Sequence, residues 1–402
     1  MAKGTKHSDL SFNNTEIAFR GKSNQDLKTA YWLFKLLENK MLVAVGASLT
    51  RFALQISLPI SGIIRRTIYR HFCGGETIDG CENAIQALAQ QQVDTILDYS
   101  VEGKGSEKDF EDTCAEILRT VKYAMSHDHI PFSVFKLSGL GRFSLLEKIN
   151  RNVELSRGET EEYQRLKHRI ERICAACYEG GVRVLIDAEH SWIQDTIDLI
   201  ALEMMQKYNQ RSPVVYNTYQ LYRTDKLASL KADFSIAQTT GFFLGAKLVR
   251  GAYLEMERDR ADELRYHSPI QPNKAATDRD YDEALCFCLD HINRIGLMAG
   301  THNEASSTLL AAEIDERRIP RNHPHIHFAQ LYGMSDNLTF NLAVAGYRVA
   351  KYMPYGPVKD VMPYLFRRAN ENTSVTGQVG RELSLITTEI RRRKAAKHLI
   401  HL

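Results

Sequence analysis

Tyr364, Arg367, Arg368 and Glu371 stand at i, i+3, i+4 and i+7 in the run YMPYGPVKDVMPYLFRRANE (residues 352–371). On a helix that spacing puts all four on one stripe, where an apolar seam would normally lie. Guanidinium stays charged at any physiological pH, so two neighbouring arginines on such a stripe call for an anion. Their planar N–H forks suit a carboxylate or a phosphate, and Tyr364 adds an aromatic wall one turn away. A second stripe, Met362, Leu365, Phe366 and Ala369, can seat the helix. Starting near Asp360, that helix would hold Pro363 in its first turn, where a missing N–H does no harm. A solvated arginine face paired with nearby acids is the plain alternative.

Strand-like and helical patterns alternate from residue 92 onward, and they must position this stripe. The expected strands are Val93–Tyr99, Phe132–Leu137, Arg183–Ala188, Val214–Tyr219, Phe243–Arg250, Leu297–His302, Ile326–Tyr332 and Arg348–Met353. Helical patterns separate them: Asp109–Ser126, Glu159–Gly180, Asp195–Tyr208, Ala228–Thr239, Thr277–Ile295, Ala305–Ile314 and Asp336–Ala345, with Asp360–Asn372 last. Eight such alternations predict an α/β fold, a (β/α)8 barrel over residues 91–375. An N-terminal helical arm (1–90) and a C-terminal helical tail (376–402) flank it. A doubly wound open sheet is the rival architecture, but Gly139-Leu-Gly141 lacks the third glycine of a dinucleotide-binding loop.

Chemistry in such a barrel sits at the C-terminal strand ends. Here each end is polar: Asp98 and Glu102; Lys136; Asp187 and Glu189; Gln220; Lys247, Arg250 and Tyr253; Thr301, His302 and Asn303; Gln330; Tyr352. A single such residue is ordinarily a rim residue. All eight together describe a polar bowl of both charge signs beneath the arginine helix.

Composition narrows the function classes. Of 402 residues, 25% are charged and 44% hydrophobic, ordinary for a globular protein, and a formal charge of +3 gives no case for nucleic acid. The seven cysteines include Cys174 and Cys177 as a CxxC inside a helical pattern with no second pair. Reduced, structural thiols in a cytoplasmic compartment are expected, and no metal. His323, His325 and His327 alternate as strand ligands would, but solvated histidines at the barrel's other end are the expectation. Arg391, Arg392, Arg393, Lys394 and Lys397 read as a solvated helix end. No secretory or transit signal is legible at the N-terminus, and the apolar region 41–64 is interrupted by Arg51, Gln55 and Pro59.

The runs FKLSGLGR, LIDAEHSW, YNTYQLYR, KLVRGAYLEMER, THNEAS, FAQLYGMSDNL and YMPYGPVKDVMPYLFRRANENTS, in that order and with FCGGETIDG before them, resemble proline dehydrogenases. The resemblance covers roughly residues 70–375. It implies FAD-dependent oxidation of L-proline to Δ1-pyrroline-5-carboxylate, with hydride passing to flavin N5 and electrons then to a quinone or other acceptor. It further implies that Arg367, Arg368 and Lys136 hold the substrate carboxylate and that Tyr364, Tyr352 and Leu331 pack on its ring. Asp187 and Tyr253 would support the pocket, and Glu102 would pair with Arg367 to close it. Gln220, Val249, Gly251, Lys274, Thr277, Thr301, His302, Gln330 and Glu371 match flavin-binding positions. Lys247 stands near flavin N5, where some members carry arginine. Tyr352 is bulky where hydroxyproline-oxidising relatives look small, so proline is the expected substrate. A separate pyrroline-5-carboxylate dehydrogenase and peripheral contact with the inner face of a membrane are also implied. A lysine-dependent lyase using Lys136 or Lys247 as a Schiff base is the rival enzyme class, and a barrel without catalysis would leave the bowl without a use.

Overall fold

A computed structural model describes residues 10–39, 41, 61–101, 105–374 and 378–400. Eight strands, β1 (Asp94–Tyr99), β2 (Phe132–Phe135), β3 (Arg183–Ile186), β4 (Val215–Gln220), β5 (Leu244–Val249), β6 (Ile295–Gly300), β7 (Ile326–Leu331) and β8 (Val349–Tyr355), pair in sequence order and close on themselves. All pairings are parallel; the closing one runs from Asp94 opposite Ala350 to Tyr99 opposite Tyr355. This is the expected (β/α)8 barrel, and the open sheet is excluded. Each expected strand is present within a few residues of its expected bounds.

The barrel is filled by Ile96, Phe132, Val134, Leu185, Tyr216, Met298, Ala329, Ala350 and Tyr352. Strand alternation sends the residue between the last two, Lys351, to the helix side. There it is 1% exposed and its ammonium lies 2.9 Å from Asp336. A larger apolar layer between strands and helices includes both thiols of the CxxC, Cys174 and Cys177, which burial pushes well above the ordinary range.

Serine caps set where several helices start. Ser106 with Asp109, and Ser156 with Glu159, form reciprocal capping boxes, so these helices (Glu107–Ala124 and Arg157–Gly180) begin two residues before the apolar periodicity does. Two helices were not legible. Phe143–Asn150 is short, and Leu254–Leu264 (LEMERDRADEL) buries only Glu257 and Ala261, so it has no apolar stripe.

The arginine helix runs Val358–Ser374, because the Pro357 carbonyl already accepts from Asp360 and Val361. Pro363 therefore lies inside the helix and not in its first turn; its missing N–H leaves one carbonyl of the preceding turn without its helical donor.

Residues outside the barrel form one apolar cluster. Leu27, Phe34 and Leu37 of the Asn24–Leu37 helix pack with Val361, Met362 and Leu365 and with Leu383 and Ile386 of the Gln378–Ile400 helix. A helical stretch, Ser61–Phe72, with a π-helical segment at Arg65–Tyr69, joins them. The C-terminal basic cluster is solvated at Arg391 and Lys394, as expected, but the two arginines between them are held in ion pairs. Arg392 and Arg393 both grip Glu389, which is fully buried and also accepts from Thr15 Oγ1 at 3.0 Å. Arg393 donates further to the carbonyls of Phe19 and Lys22, each at 2.8 Å. The first and last described segments are thus stitched together. His327 also departs from expectation: it is the second residue of β7, fully buried edge-on to Phe132, and burial holds it neutral. Among the described residues no group of three His, Cys, Asp or Glu could hold a metal ion, and no helix is long and apolar enough to cross a membrane.

Candidate active site

The strand ends converge on a cavity of about 640 Å³ at the barrel mouth. Its floor is a carboxylate. Asp187, just past β3, is 8% exposed and accepts from Lys247 Nζ (β5) at 2.6 Å and from Tyr352 Oη (β8) at 2.5 Å. Lys136, just past β2, lies 3.5 Å from the same carboxylate and 3.9 Å from Asp98 of β1. Burial opposes charge on Asp187, but Lys247 and Lys136 outweigh it and hold the carboxyl below its usual range. Asp98 goes the other way: burial pushes it up, despite Lys136. Five strands therefore contribute to one network of both signs.

Lys136 is placed by a turn, not by the strand itself. After β2 the chain makes a short 3-10 turn, Leu137–Gly139, and Glu189 accepts from Ser138 N at 2.9 Å. Glu189 is thus not in the bowl; it anchors the loop that carries Lys136.

The arginine helix roofs the cavity. Tyr364 and Arg368 are 5% and 8% exposed, Arg367 is half-buried, and all three line the cavity. The Arg368 guanidinium sits 5.3 Å from the centre of the Tyr364 ring. The solvated arginine face is therefore excluded. Leu331 and Tyr352 complete an apolar side below the two arginines.

On the other side lie Gln220, Val249, Gly251, Lys274, Thr301, His302 and Gln330. Gly251 has φ +137, a backbone conformation side chains rarely adopt, and an added Cβ would run into the Tyr222 ring. His302 is neutral: burial lowers its pKa to about 3, with Lys351 and Arg368 adding to the shift. Its Nδ1 meets Ser335 Oγ at 2.9 Å.

Not every expected residue is brought to the cavity. Thr277 is buried one turn into the Lys274–Asp290 helix, bonded to the Asn273 carbonyl, and is not among the lining residues. Tyr253 lines the cavity but packs on His190, at 4.2 Å between ring centres, while Asp187 takes its hydroxyl partner from Tyr352. Glu102 lies outside the described residues, as does the side chain of Glu371.

The wall is completed by Arg250, expected at its strand end, and by residues that had no local signal. Arg250 follows β5 and binds Asp278 (2.8 Å), Thr301 Oγ1 (2.8 Å) and Ser306 Oγ (2.9 Å) across the cavity wall. Ser335, Asn337 and Glu304 enter from the starts of the helices that follow β7 and β6, and Arg381 and Glu382 from the C-terminal helix read as a tail.

The proline dehydrogenase family model matches residues 81–381. Proline dehydrogenase 1, mitochondrial, of Dictyostelium discoideum is 34% identical over 384 residues, covering 85% of this chain and 67% of that protein. The Caenorhabditis elegans protein of the same name is 40% identical over 244 residues, or 60% of this chain and 40% of its own length. In fold the chain is similar to proline utilization A from Bdellovibrio bacteriovorus, with TM-score 0.69 at 20% identity over 93% of this chain and 40% of that one. The chain thus spans less than half of the last two proteins. A closed barrel whose mouth gathers the expected lysines, tyrosines and paired arginines, within a segment that matches one family almost throughout, has one reading: the chain belongs to the proline dehydrogenase family.

Proposed function

We propose that this protein oxidises L-proline to Δ1-pyrroline-5-carboxylate using bound FAD and passes the electrons to a quinone or other acceptor. One observation carries the reading. Arg367, Arg368 and Lys136 border the same cavity as the Asp187–Lys247–Tyr352 network, so an anion clamp and a small ring-sized apolar wall share one mouth.

The residues fit FAD. Gln220 Oε1 is buried in the cavity wall without a hydrogen-bond partner, and Gly251 brings bare backbone to the cavity. Gln220, Val249, Gly251, Thr301, His302, Gln330 and Lys274 would hold it, with Lys247 near its redox-active ring. When bound, FAD supplies a two-electron acceptor for the hydride that leaves the ring carbon beside the proline nitrogen.

The chain's own work is positioning and electrostatics. The arginine forks take the substrate carboxylate and fix the ring's orientation. Tyr364, Tyr352 and Leu331 exclude water around the ring. Asp187 holds Tyr352 and both lysines in place, so neither ammonium is free to pair with the carboxylate alone. Neutral His302 adds no positive charge to the wall. The amine must be unprotonated to release hydride, and a site already rich in cations disfavours its protonated form.

An absorption spectrum tests cofactor and substrate together. Purified protein should show flavin bands that bleach on anaerobic addition of L-proline. Trapping by borohydride with a carbonyl substrate, in protein without flavin bands, would instead favour the lysine-dependent lyase. Bulk at Tyr352 gives a second outcome: kcat/KM for proline should exceed that for 4-hydroxyproline, and equal values contradict the assigned ring contact.

Electrons would pass to the acceptor by peripheral docking or through a soluble carrier, and a separate pyrroline-5-carboxylate dehydrogenase would take the product. We place the protein in the cytoplasm, with peripheral contact at the inner face of a membrane as the route to a quinone.

A further inference from the structure

Ser335 is in a position that its own side chain does not explain. It precedes the Asp336–Val344 helix, where a serine usually caps the helix through its hydroxyl. Here the hydroxyl makes no cap. The residue is left-handed, φ +52 and ψ +43, and 4% exposed. Such a backbone costs a non-glycine residue about 1 kcal/mol and persists only where the surroundings impose it.

The surroundings are hydrogen bonds to its N–H, its hydroxyl and its carbonyl, relayed onward by two more. Glu382 Oε1 accepts from the Ser335 N–H at 2.6 Å. Ser335 Oγ meets His302 Nδ1 at 2.9 Å, while the Leu331 N–H approaches His302 Nε2 at 3.5 Å. That pair of contacts sets the tautomer, with the proton on Nδ1 donated to Ser335. The Ser335 carbonyl accepts from the Thr339 N–H at 3.1 Å, and the single Thr339 hydroxyl proton goes to Gln330 Oε1 at 2.9 Å. Ser335 is therefore the hub between a carboxylate on the last helix and two residues, His302 and Gln330, of the proposed flavin wall.

We infer that Glu382 is a positioning residue of the cofactor site: by holding the Ser335 N–H it fixes the left-handed turn that orients His302 and, through Thr339, Gln330. The inference rests on the flavin reading of the cavity. It gives the C-terminal helix a part in the site although the helix lies far from the strand ends in sequence. Glu382 is 5% exposed and faces Asp336 of the following helix, Lys351 of β8 and Lys22 of the N-terminal segment. Burial, with Asp336 adding to it, raises its pKa to about 7, so its charge state is set within this cluster.

The test uses the full-length apoprotein titrated with FAD, followed by flavin fluorescence quenching, and the visible spectrum of the bound flavin. Glu382→Ala should weaken FAD binding about tenfold, the worth of one hydrogen bond to an ionisable acceptor, and alter the fine structure of the flavin bands. Glu382→Gln keeps an acceptor oxygen and should stay within about twofold of wild type. A role confined to packing the last helix would not be rescued in this way. Should Glu382→Ala fail to fold, Glu382→Asp decides: it keeps the carboxylate but shortens its reach to the Ser335 N–H and should give the same spectral change. Wild-type FAD affinity and an unchanged spectrum in Glu382→Ala, or in Glu382→Asp where the alanine variant does not fold, would overturn the inference. If the wild-type protein takes up no FAD and proline does not bleach it, the flavin reading itself fails and this inference falls with it.

Discussion

Lys247 and Tyr352, on strands three places apart around the barrel, end on opposite oxygens of the Asp187 carboxylate, and the ammonium lies 4.6 Å from the centre of the tyrosine ring. The tyrosine thus serves as a hydrogen-bond donor and as an aromatic face to a cation. Tyr352→Phe keeps the ring and loses the hydroxyl, so it should lower kcat/KM about tenfold with little change in folding. Asp187→Ala leaves two lysines without their shared buried partner and should cost ~3–5 kcal/mol of stability as well. Steady-state kinetics and urea unfolding separate the two; equal effects would show that the network acts only on the fold.

Arg368 is the more buried of the paired arginines, and Arg368→Ala should raise KM for proline strongly, about tenfold to hundredfold, while flavin stays bound. Arg368→Lys restores charge but not the fork and should recover only part of the loss. Kinetics close to wild type in the alanine variant would remove the carboxylate assignment.

Gly251 combines a positive φ with the nearby Tyr222 ring. Gly251→Ala should destabilise the protein by ~1–3 kcal/mol and reduce the flavin content of the purified protein. Thermal unfolding with and without added FAD measures both, and full flavin content would show that this backbone does not approach the cofactor.

Glu382 should make stability depend on pH. Its carboxyl titrates near 4.5 when unfolded and about 7 when folded, raised by burial. The folded state therefore binds the proton more tightly, so this contribution is complete below pH 4.5 and is lost as pH rises through 7. Asp336, held at about 2 against its burial by Lys351 and Lys22, stays ionised across that window and adds nothing to the slope. Urea unfolding between pH 4.5 and 8 should show stability falling in wild type relative to Glu382→Gln by a few kcal/mol. Parallel curves would contradict the assignment.

The barrel was legible because each strand carries a β-branched or aromatic run and most of the intervening helices a clear periodicity, and the polar strand ends then mark the mouth. Spacing put Arg367 and Arg368 on one stripe but left a solvated face open, and it is their burial against the cavity that decides between the two. What was hidden depends on tertiary contact. Ser335 and Glu382 become site residues only when the βα-loops and the last helix are folded against the barrel, and nothing in YGMSDN or GRELSL announces that. Thr277 matched a motif position, yet its helix turns it toward Asn273. Pro363 was misplaced because Pro357 starts the helix earlier than the apolar pattern does.

The clasp at Glu389 has a practical consequence. One buried anion is shared by Thr15 near the beginning and by Arg392 and Arg393 near the close of the described chain. Trimming the first segment removes the Thr15 hydroxyl and the Phe19 and Lys22 carbonyls that Arg393 holds, and trimming the last removes the arginines, so either cut loosens the opposite terminus, and shortened versions made for crystallisation or fusion should keep both ends or lose both together.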